Sequence, residues 1–202
     1  MSTFGPEDLL DCYRRGVFPM ADNRDDPRVF LLDPDERGII PLDGLHVSRS
    51  LAKFMRKMDF TVTFDRAFAQ DISKCAEEAP NRKSTWINEG IEYLYGWLHK
   101  NGNAHSVEVW QKDELVGGLY GVSINAAFFG ESMFSRRTNA SKVALVRLVE
   151  RLRAGGYHLL DTQFITDHLA TMGAIEIPRK TYHSLLREAL GKEAAFHPKL
   201  KN

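Results

Sequence analysis

The sequence predicts an α+β fold, a mixed-sheet domain preceded by a small N-terminal unit, and three features predict it. Ala104 to Trp110, Leu115 to Val122 and Ala126 to Phe129 are strand-like runs in close succession, joined by short polar connections in the manner of an antiparallel meander. The stretch that follows places Leu145, Leu148, Val149 and Leu152 at the i, i+3, i+4, i+7 spacing of an amphipathic helix. The segment before Asp43, by contrast, is broken by Gly16, Pro19, Pro27, Pro34, Gly38 and Pro41, so it reads as a small irregular unit with no long element.

Taken in order, Leu9, Leu10, Tyr13 and Val17 have helical spacing, and Gly16 marks the end of a brief helix. Pro19 then makes Phe18 extended. Ser48 to Met58 begins with capping residues, sets Leu51, Phe54, Met55 and Met58 on one face and leaves Arg49, Lys53, Arg56 and Lys57 on the other. Phe60 to Phe64 alternates as a strand does, and Phe68 to Ala76 and Ile87 to Lys100 are helical, the second ended by Asn101-Gly102. After the meander, Asn139 or Ser141 opens the amphipathic helix and Gly155-Gly156 closes it. Tyr157 to Gln163 is a strand, Asp167 to Met172 a short helix stopped by Gly173, Ala174 to Ile177 a strand, and Thr181 to Leu190 the last helix, ended by Gly191. The order of meander, helix, strand, helix, strand is that of acetyltransferases of the GNAT type, a comparison resting on order alone.

Composition narrows the partners. Lys and Arg total 27 and Asp and Glu total 27, so the whole molecule exerts no long-range pull on a polyanion and any RNA contact has to be local. No apolar run is long enough to span a membrane, and the first residues lack the basic and apolar regions of a signal peptide, so a cytoplasmic protein is expected. Cys12 and Cys75 have no CxxC or Cys/His spacing, which suits a reducing compartment and predicts no metal. The seven histidines form no i, i+4 pair. Coenzyme A would need a glycine-rich turn ahead of the amphipathic helix. Residues 130–139 read instead Gly-Glu-Ser-Met-Phe-Ser-Arg-Arg-Thr-Asn, bulky and bearing a carboxylate.

Gly130-Glu131-Ser132-Met133-Phe134-Ser135 followed by Asn139-Ala140-Ser141-Lys142 resembles the signature of leucyl/phenylalanyl-tRNA–protein transferases. The resemblance extends to His105 through Trp110, Leu115 through Val122, Asp161-Thr162-Gln163 and Met172 through Arg179. Earlier in the chain it takes in Tyr13 with Gly16 through Pro19, Leu45 through Ser50, and Thr85-Trp86-Ile87. It implies a small N-terminal domain, residues 1–45, packed on a GNAT-like domain, residues 46–202. It also implies an enzyme that uses no metal or other cofactor and moves leucine or phenylalanine, with methionine a further candidate, from aminoacyl-tRNA to proteins beginning with Arg or Lys; a monomer is expected. The product would carry a destabilising N-terminus. Leu31-Leu32 stands where many members of that family have a Trp pair, which leaves Trp86 as the matching aromatic for the donor's terminal adenosine.

The donor of such a transfer is an activated ester, so the site has to orient an amine and relieve it of a proton rather than supply a nucleophile. Asp161 and Gln163 lie two apart on a strand, which puts both side chains on one face. By the resemblance, Asp161 polarises Gln163, whose carbonyl oxygen receives the α-amine; proton transfer through the donor's ribose hydroxyl is an alternative, and a loop-capping Asp161 beside a solvated Gln163 is the plain structural one. Glu131 is a candidate partner of the donor's α-ammonium, or otherwise a solvated or capping acid. Family positions place Gly130, Leu119, Phe128, Met133, Leu145, Leu148, Leu152 and Leu160 around the donor side chain. Met133 stands out because a flexible thioether adapts to aliphatic and aromatic guests. Arg49, Lys53, Arg56 and Lys57 are candidate contacts to the tRNA acceptor stem, or simply a solvated helix face. A coenzyme A-dependent acyltransferase and a non-catalytic tRNA- or degron-binding module are the rival classes.

Overall fold

The computed structural model of the chain describes residues 4–20, 30–77, 85 and 87–198. Pro6–Arg14 forms α1, with proline in its first turn and the Asp8 carboxylate accepting the Gly5 N–H. Gly16, at φ +78°, turns the chain into β1, Phe18–Met20, which pairs antiparallel with β2, Phe30–Leu32. β3 is Glu36–Ile39 and α2 is Arg49–Lys57, capped by Ser48 Oγ, which accepts the Leu51 N–H. β4, Phe60–Phe64, is followed by α3, Phe68–Ala76, and α4, Glu89–Lys100, the latter capped by Asn88. The meander comprises β5, Ala104–Gln111, β6, Glu114–Ile124, and β7, Ala127–Ser135. Then come α5, Ala140–Ala154, β8, Leu159–Gln163, α6, Asp167–Ala170, β9, Ile175–Pro178, and α7, Arg179–Leu190.

Among the described residues seven strands make one mixed sheet in the order β4-β5-β6-β7-β8-β3-β9. Every neighbouring pair is antiparallel except β7 and β8, which run parallel. The α+β architecture expected from the sequence is therefore present, with two differences. The residues read as a connection, 130–135, continue β7, because β6 is long enough to pair with them as far as Ser135. The proline-broken N-terminal segment contributes β2 and β3, and β3, ahead of the boundary expected at residue 45, lies inside the large sheet between β8 and β9. Its short strand carries too few side chains to show a period.

Alternation on the strands divides the core into two layers. Tyr120, Val122 and Phe129 face α1, α3, α4 and α7 through Leu9, Tyr13, Ile72, Tyr95, Leu98 and Tyr182. Leu119, Phe128 and Leu160 face the other way, onto Leu145, Leu148, Val149 and Leu152 of α5, with Leu51 of α2 in the same layer. Each such buried side chain contributes roughly 1.5–3 kcal/mol through removal from water. The central strand admits helices on both faces because Gly117 and Gly118 present no side chains: a Cβ on Gly117 would meet Ala140 of α5, and one on Gly118 would meet the Asp71 carboxylate and the Phe134 ring.

Gly118→Ala should therefore lower stability by more than the usual small penalty, on the order of 1–3 kcal/mol for an overpacked core. Urea unfolding of the two proteins measures it; an unchanged midpoint would mean that α3 shifts without penalty.

Candidate active site

β7 and β8 pair only from Ala127↔Leu159 to Phe129↔Asp161. Beyond that point β7 stays with β6 and β8 pairs with β3, so the two parallel strands part company. In the same place β6 and β7 slip register: Tyr120 pairs with Ser132 and Gly121 with Gly130, which leaves Glu131 as the extra residue of a bulge. A bulge re-aims its side chain and ends regular pairing. Gly130 lies close against the Asp161 carbonyl, where a Cβ would come to 3.3 Å.

Asp161 is fully buried and its carboxylate is saturated with donors. Oδ1 accepts Arg37 Nε at 3.0 Å and the Gln163 N–H at 2.7 Å, and Oδ2 accepts Arg37 Nη2 at 2.6 Å and the Tyr182 hydroxyl at 2.7 Å. Arg37 is 1% exposed, lies between the rings of Phe18 and Tyr182 at 4.5 and 4.4 Å from their centroids, and gives its remaining end to the Gly16 carbonyl. Burial opposes its charge, but the hydrogen bonds and charge of Asp161 outweigh burial and hold Arg37 above its ordinary value. Burial, followed by the Asp161 charge, pushes Tyr182 far above the ordinary phenol value, so it is a permanent donor here.

Gln163 has φ +64°, and the Phe164 N–H reaches back to the Thr162 carbonyl at 2.7 Å, a tight turn that ends β8. Such a conformation is unfavourable for a residue with a side chain. It is held by the Asp161 carboxylate on the Gln163 N–H and by the bare surface of Gly38, where a Cβ would meet Phe164 backbone and Thr162 Oγ1. Asp161 therefore meets Gln163 through the Gln163 backbone N–H, at a residue whose positive φ departs from regular strand geometry. Its side chain swings toward Glu131 instead, Nε2 donating to Oε1 at 3.0 Å.

Glu131 also accepts the hydroxyls of Tyr13, at 2.7 Å, and Tyr95, at 3.0 Å, and these two hydroxyls stand 2.5 Å apart. Burial pushes the Glu131 carboxyl from 4.5 up to about 7, with Asp161 adding to the rise and the bonds from Tyr13, Tyr95 and Gln163 opposing it. Proton counting agrees: the three oxygen–oxygen contacts among Tyr13, Tyr95 and Glu131 are all bonded only when the carboxyl brings a third proton to the two phenolic ones. Burial and Glu131 in turn push both phenols well above their ordinary value.

Glu131 and Gln163, with Ser132, Thr162 and Thr166, are polar residues lining a cleft of about 320 Å³. Leu119, Met133, Leu145, Leu148 and Leu160 line it, together with Gly130. Phe128 and Leu152 do not: both are fully buried in the layer behind it. Trp86 lies outside the described residues. Arg49, Lys53, Arg56 and Lys57 are exposed along α2 and none of them lines the cleft. Sequence reasoning passed over Arg37, Tyr182, Tyr95 and Tyr120, and over Met20 and Phe164, which stand half-exposed at the cleft. A buried Arg in a proline-broken segment gives no periodic signal, and the tyrosines read as ordinary core.

The family profile described as Leucyl/phenylalanyl-tRNA protein transferase matches residues 39–187, and that of the Leucyl/phenylalanyl-tRNA protein transferase N-terminal domain matches residues 3–35. The chain is 62% identical over 196 residues to the leucyl/phenylalanyl-tRNA–protein transferase of Maricaulis maris, covering 97% of this chain and 91% of that one. It is 59% identical over 197 residues to that of Phenylobacterium zucineum, covering 98% and 89%. Among solved structures it has a distant likeness to L-PGS from Bacillus licheniformis, at 13% identity and a TM-score of 0.47 over 93% of this chain and 77% of that one.

Two outcomes follow from the buried charges. Arg37→Leu leaves the Asp161 carboxylate uncompensated and should destabilise the fold by about 3–5 kcal/mol, with Asp161→Asn in the same background restoring part of the loss; a melting temperature equal to wild type would deny the pair this role. Glu131 binds its proton more tightly folded than unfolded, so the stability tied to that proton is whole below pH 4.5 and is lost as pH rises to about 7. Glu131→Gln should remove that fall, up to about 3 kcal/mol between pH 4.5 and 8 in urea titrations, and parallel pH curves would show that folding leaves the proton affinity of the carboxyl unchanged.

Proposed function

Because the chain belongs to the leucyl/phenylalanyl-tRNA protein transferase family, we propose that it transfers leucine or phenylalanine, with methionine a further donor, from aminoacyl-tRNA to the N-terminal α-amine of proteins beginning with Arg or Lys, giving them a destabilising N-terminus. The observation that carries this reading is the cleft itself, whose apolar lining from Leu119, Met133, Leu145, Leu148 and Leu160 meets polar groups that include Glu131 and Gln163. Its volume suits one Leu or Phe side chain, and its polar groups suit the α-ammonium and ester on the carbon that bears that side chain.

In this reading the ionised Glu131 carboxylate takes the donor's α-ammonium by a charge-assisted bond. An arriving cation favours the ionised form, so binding itself draws the carboxyl below the value it has in the empty cleft. Gln163 already commits its Nε2 to Glu131. Its carbonyl oxygen then orients the acceptor's amine toward the ester carbon. The nitrogen–carbon bond forms, the ester carbon–oxygen bond breaks, and the amine's proton leaves with the departing ribose oxygen, because a neutral amide is too weak a base to keep it. Asp161, spent on Arg37, Tyr182 and the Gln163 N–H, is a positioning residue that holds Gln163 in its strained turn. The ester is already activated, so no cofactor is needed.

The donor's nucleic-acid body is held elsewhere. Arg49, Lys53, Arg56 and Lys57 form an exposed basic row on α2 suited to acceptor-stem phosphates, a local contact in keeping with zero formal net charge. No helix among the described residues is long and apolar enough to cross a membrane, and we place the reaction in the cytoplasm, where charged tRNA is made.

The test is incorporation of labelled leucine or phenylalanine from charged tRNA into an Arg-starting peptide. Met133→Ala should change the Phe/Leu ratio, by roughly 1–3 kcal/mol of discrimination, without abolishing transfer. Absence of transfer by the wild-type chain would overturn the function, whereas equal loss for both donors with a lowered melting temperature would make Met133 a core residue only.

A further inference from the structure

Away from the cleft, at the end of the sheet where β4 pairs with β5, three side chains from distant parts of the chain turn their donor atoms onto one point. Asp65 directly follows β4 and has φ +57°, a left-handed backbone uncommon outside glycine that aspartate tolerates better than most. His105 is the second residue of β5, and His197 lies on the segment after α7. His105 Nδ1 stands 2.7 Å and His197 Nε2 2.6 Å from the same oxygen, Asp65 Oδ2. The two rings are crossed at 75°, so they approach that oxygen from different directions. His105 is 8% exposed and stacks on Phe196 with ring centroids 4.0 Å apart, which fixes its orientation.

We propose that Asp65, His105 and His197 bind one divalent transition-metal ion of the zinc class. Two imidazole nitrogens and a carboxylate oxygen, with water at the fourth position, make up a three-ligand zinc set, and the donor mixture favours such an ion over magnesium or calcium, which prefer oxygen alone. On binding, the ion replaces the protons that the imidazoles direct at Asp65. Metal–ligand distances of about 2.0–2.2 Å require the donors to spread by less than about 1 Å. His197 supplies that movement, since its side chain is 56% exposed while His105 is locked in place. The Ser106 N–H donates to Asp65 Oδ1 at 2.9 Å and orients the carboxylate from behind, as outer partners do in metal sites. His99 stays out of the set: its Nδ1 is 3.8 Å from Asp65 Oδ1, donates to the Ala104 carbonyl, and its ring stacks on Phe68.

The consequence is a staple on the C-terminal segment. Phe196, next to the ligand His197, is 3% exposed and stacks at 5.8 Å on Phe128, the ring directly behind the cleft. Arg151 lies 3.8 Å over Phe64 and donates to the Phe196 carbonyl. An ion joining β5 to residue 197 would lock Phe196 under the sheet and stabilise the folded chain by mass action.

The test uses the full chain after dialysis against EDTA, titrated with zinc chloride in a calorimeter and with cobalt(II) in a visible spectrometer. One Zn²⁺ per chain, a four-coordinate cobalt spectrum, a raised melting temperature and slower carboxypeptidase trimming are expected. His197→Ala, at an exposed position, should fold normally and weaken zinc binding by more than the ~10–100-fold that loss of an outer hydrogen-bond partner produces. His158→Ala, at an exposed histidine in the connection before β8, should change nothing. Leucine transfer is measured alongside and should be the same with and without zinc, so failure of the metal site and failure of the proposed function are separate results. No saturable binding, or binding of equal affinity in both His197→Ala and Asp65→Asn, would overturn the site.

Discussion

The buried pair of Arg37 and Asp161 is the interaction on which the rest of this structure leans. Two opposite charges removed from water are tolerable only when further hydrogen bonds support the pair, and here Tyr182, Gly16 and the Gln163 N–H supply them. The pair and its partners come from the turn after α1, from β3, from β8 and from α7. One electrostatic requirement thereby pins the N-terminal segment and the last helix to the strand that ends in Gln163. The Phe18 and Tyr182 rings on either side of the guanidinium exclude water and keep the attraction strong.

The same pair shapes the cleft. Asp161 marks the last rung between β7 and β8, and beyond it the strands diverge. Each diverging strand carries a local irregularity, a bulge at Glu131 and a left-handed turn at Gln163, and each irregularity aims a polar side chain into the gap. Such features are unfavourable by themselves and persist because neighbours over-determine them: two tyrosines hold Glu131, while Gly38 and Asp161 hold Gln163. The result is a carboxyl pushed to about 7 next to an oriented amide, at the inner end of an apolar slot. Glu131 can therefore change charge with small changes in its surroundings, which suits a group that must meet a cationic ligand.

Legibility in the sequence followed the range over which each feature is encoded. α5 repeats its apolar side chains over four turns, and the strands of the meander alternate over many residues, so both are plain from spacing. β3 spans only four residues between prolines and has no period, although it contributes the buried arginine that pairs with Asp161. Of the apolar side chains singled out, Leu119, Met133, Leu145, Leu148 and Leu160 line the cleft, whereas Phe128 and Leu152 sit one layer behind. Periodicity tells which face a residue occupies, and not how deep along that face a cavity reaches.

The sequence by itself determined the α+β class, the order and approximate ends of most elements, and the family, because local propensity, capping and motif spacing are written in neighbouring residues. Only the tertiary structure decided that Asp161 is closed off by Arg37, that Glu131 occupies a bulge between two tyrosines, and that Asp65, His105 and His197 meet. Those arrangements join residues 16, 37, 161 and 182, or 65, 105 and 197, and no local pattern records such distances. They arise when the sheet brings remote strands within hydrogen-bonding range, and burial then multiplies the strength of whatever charges meet there.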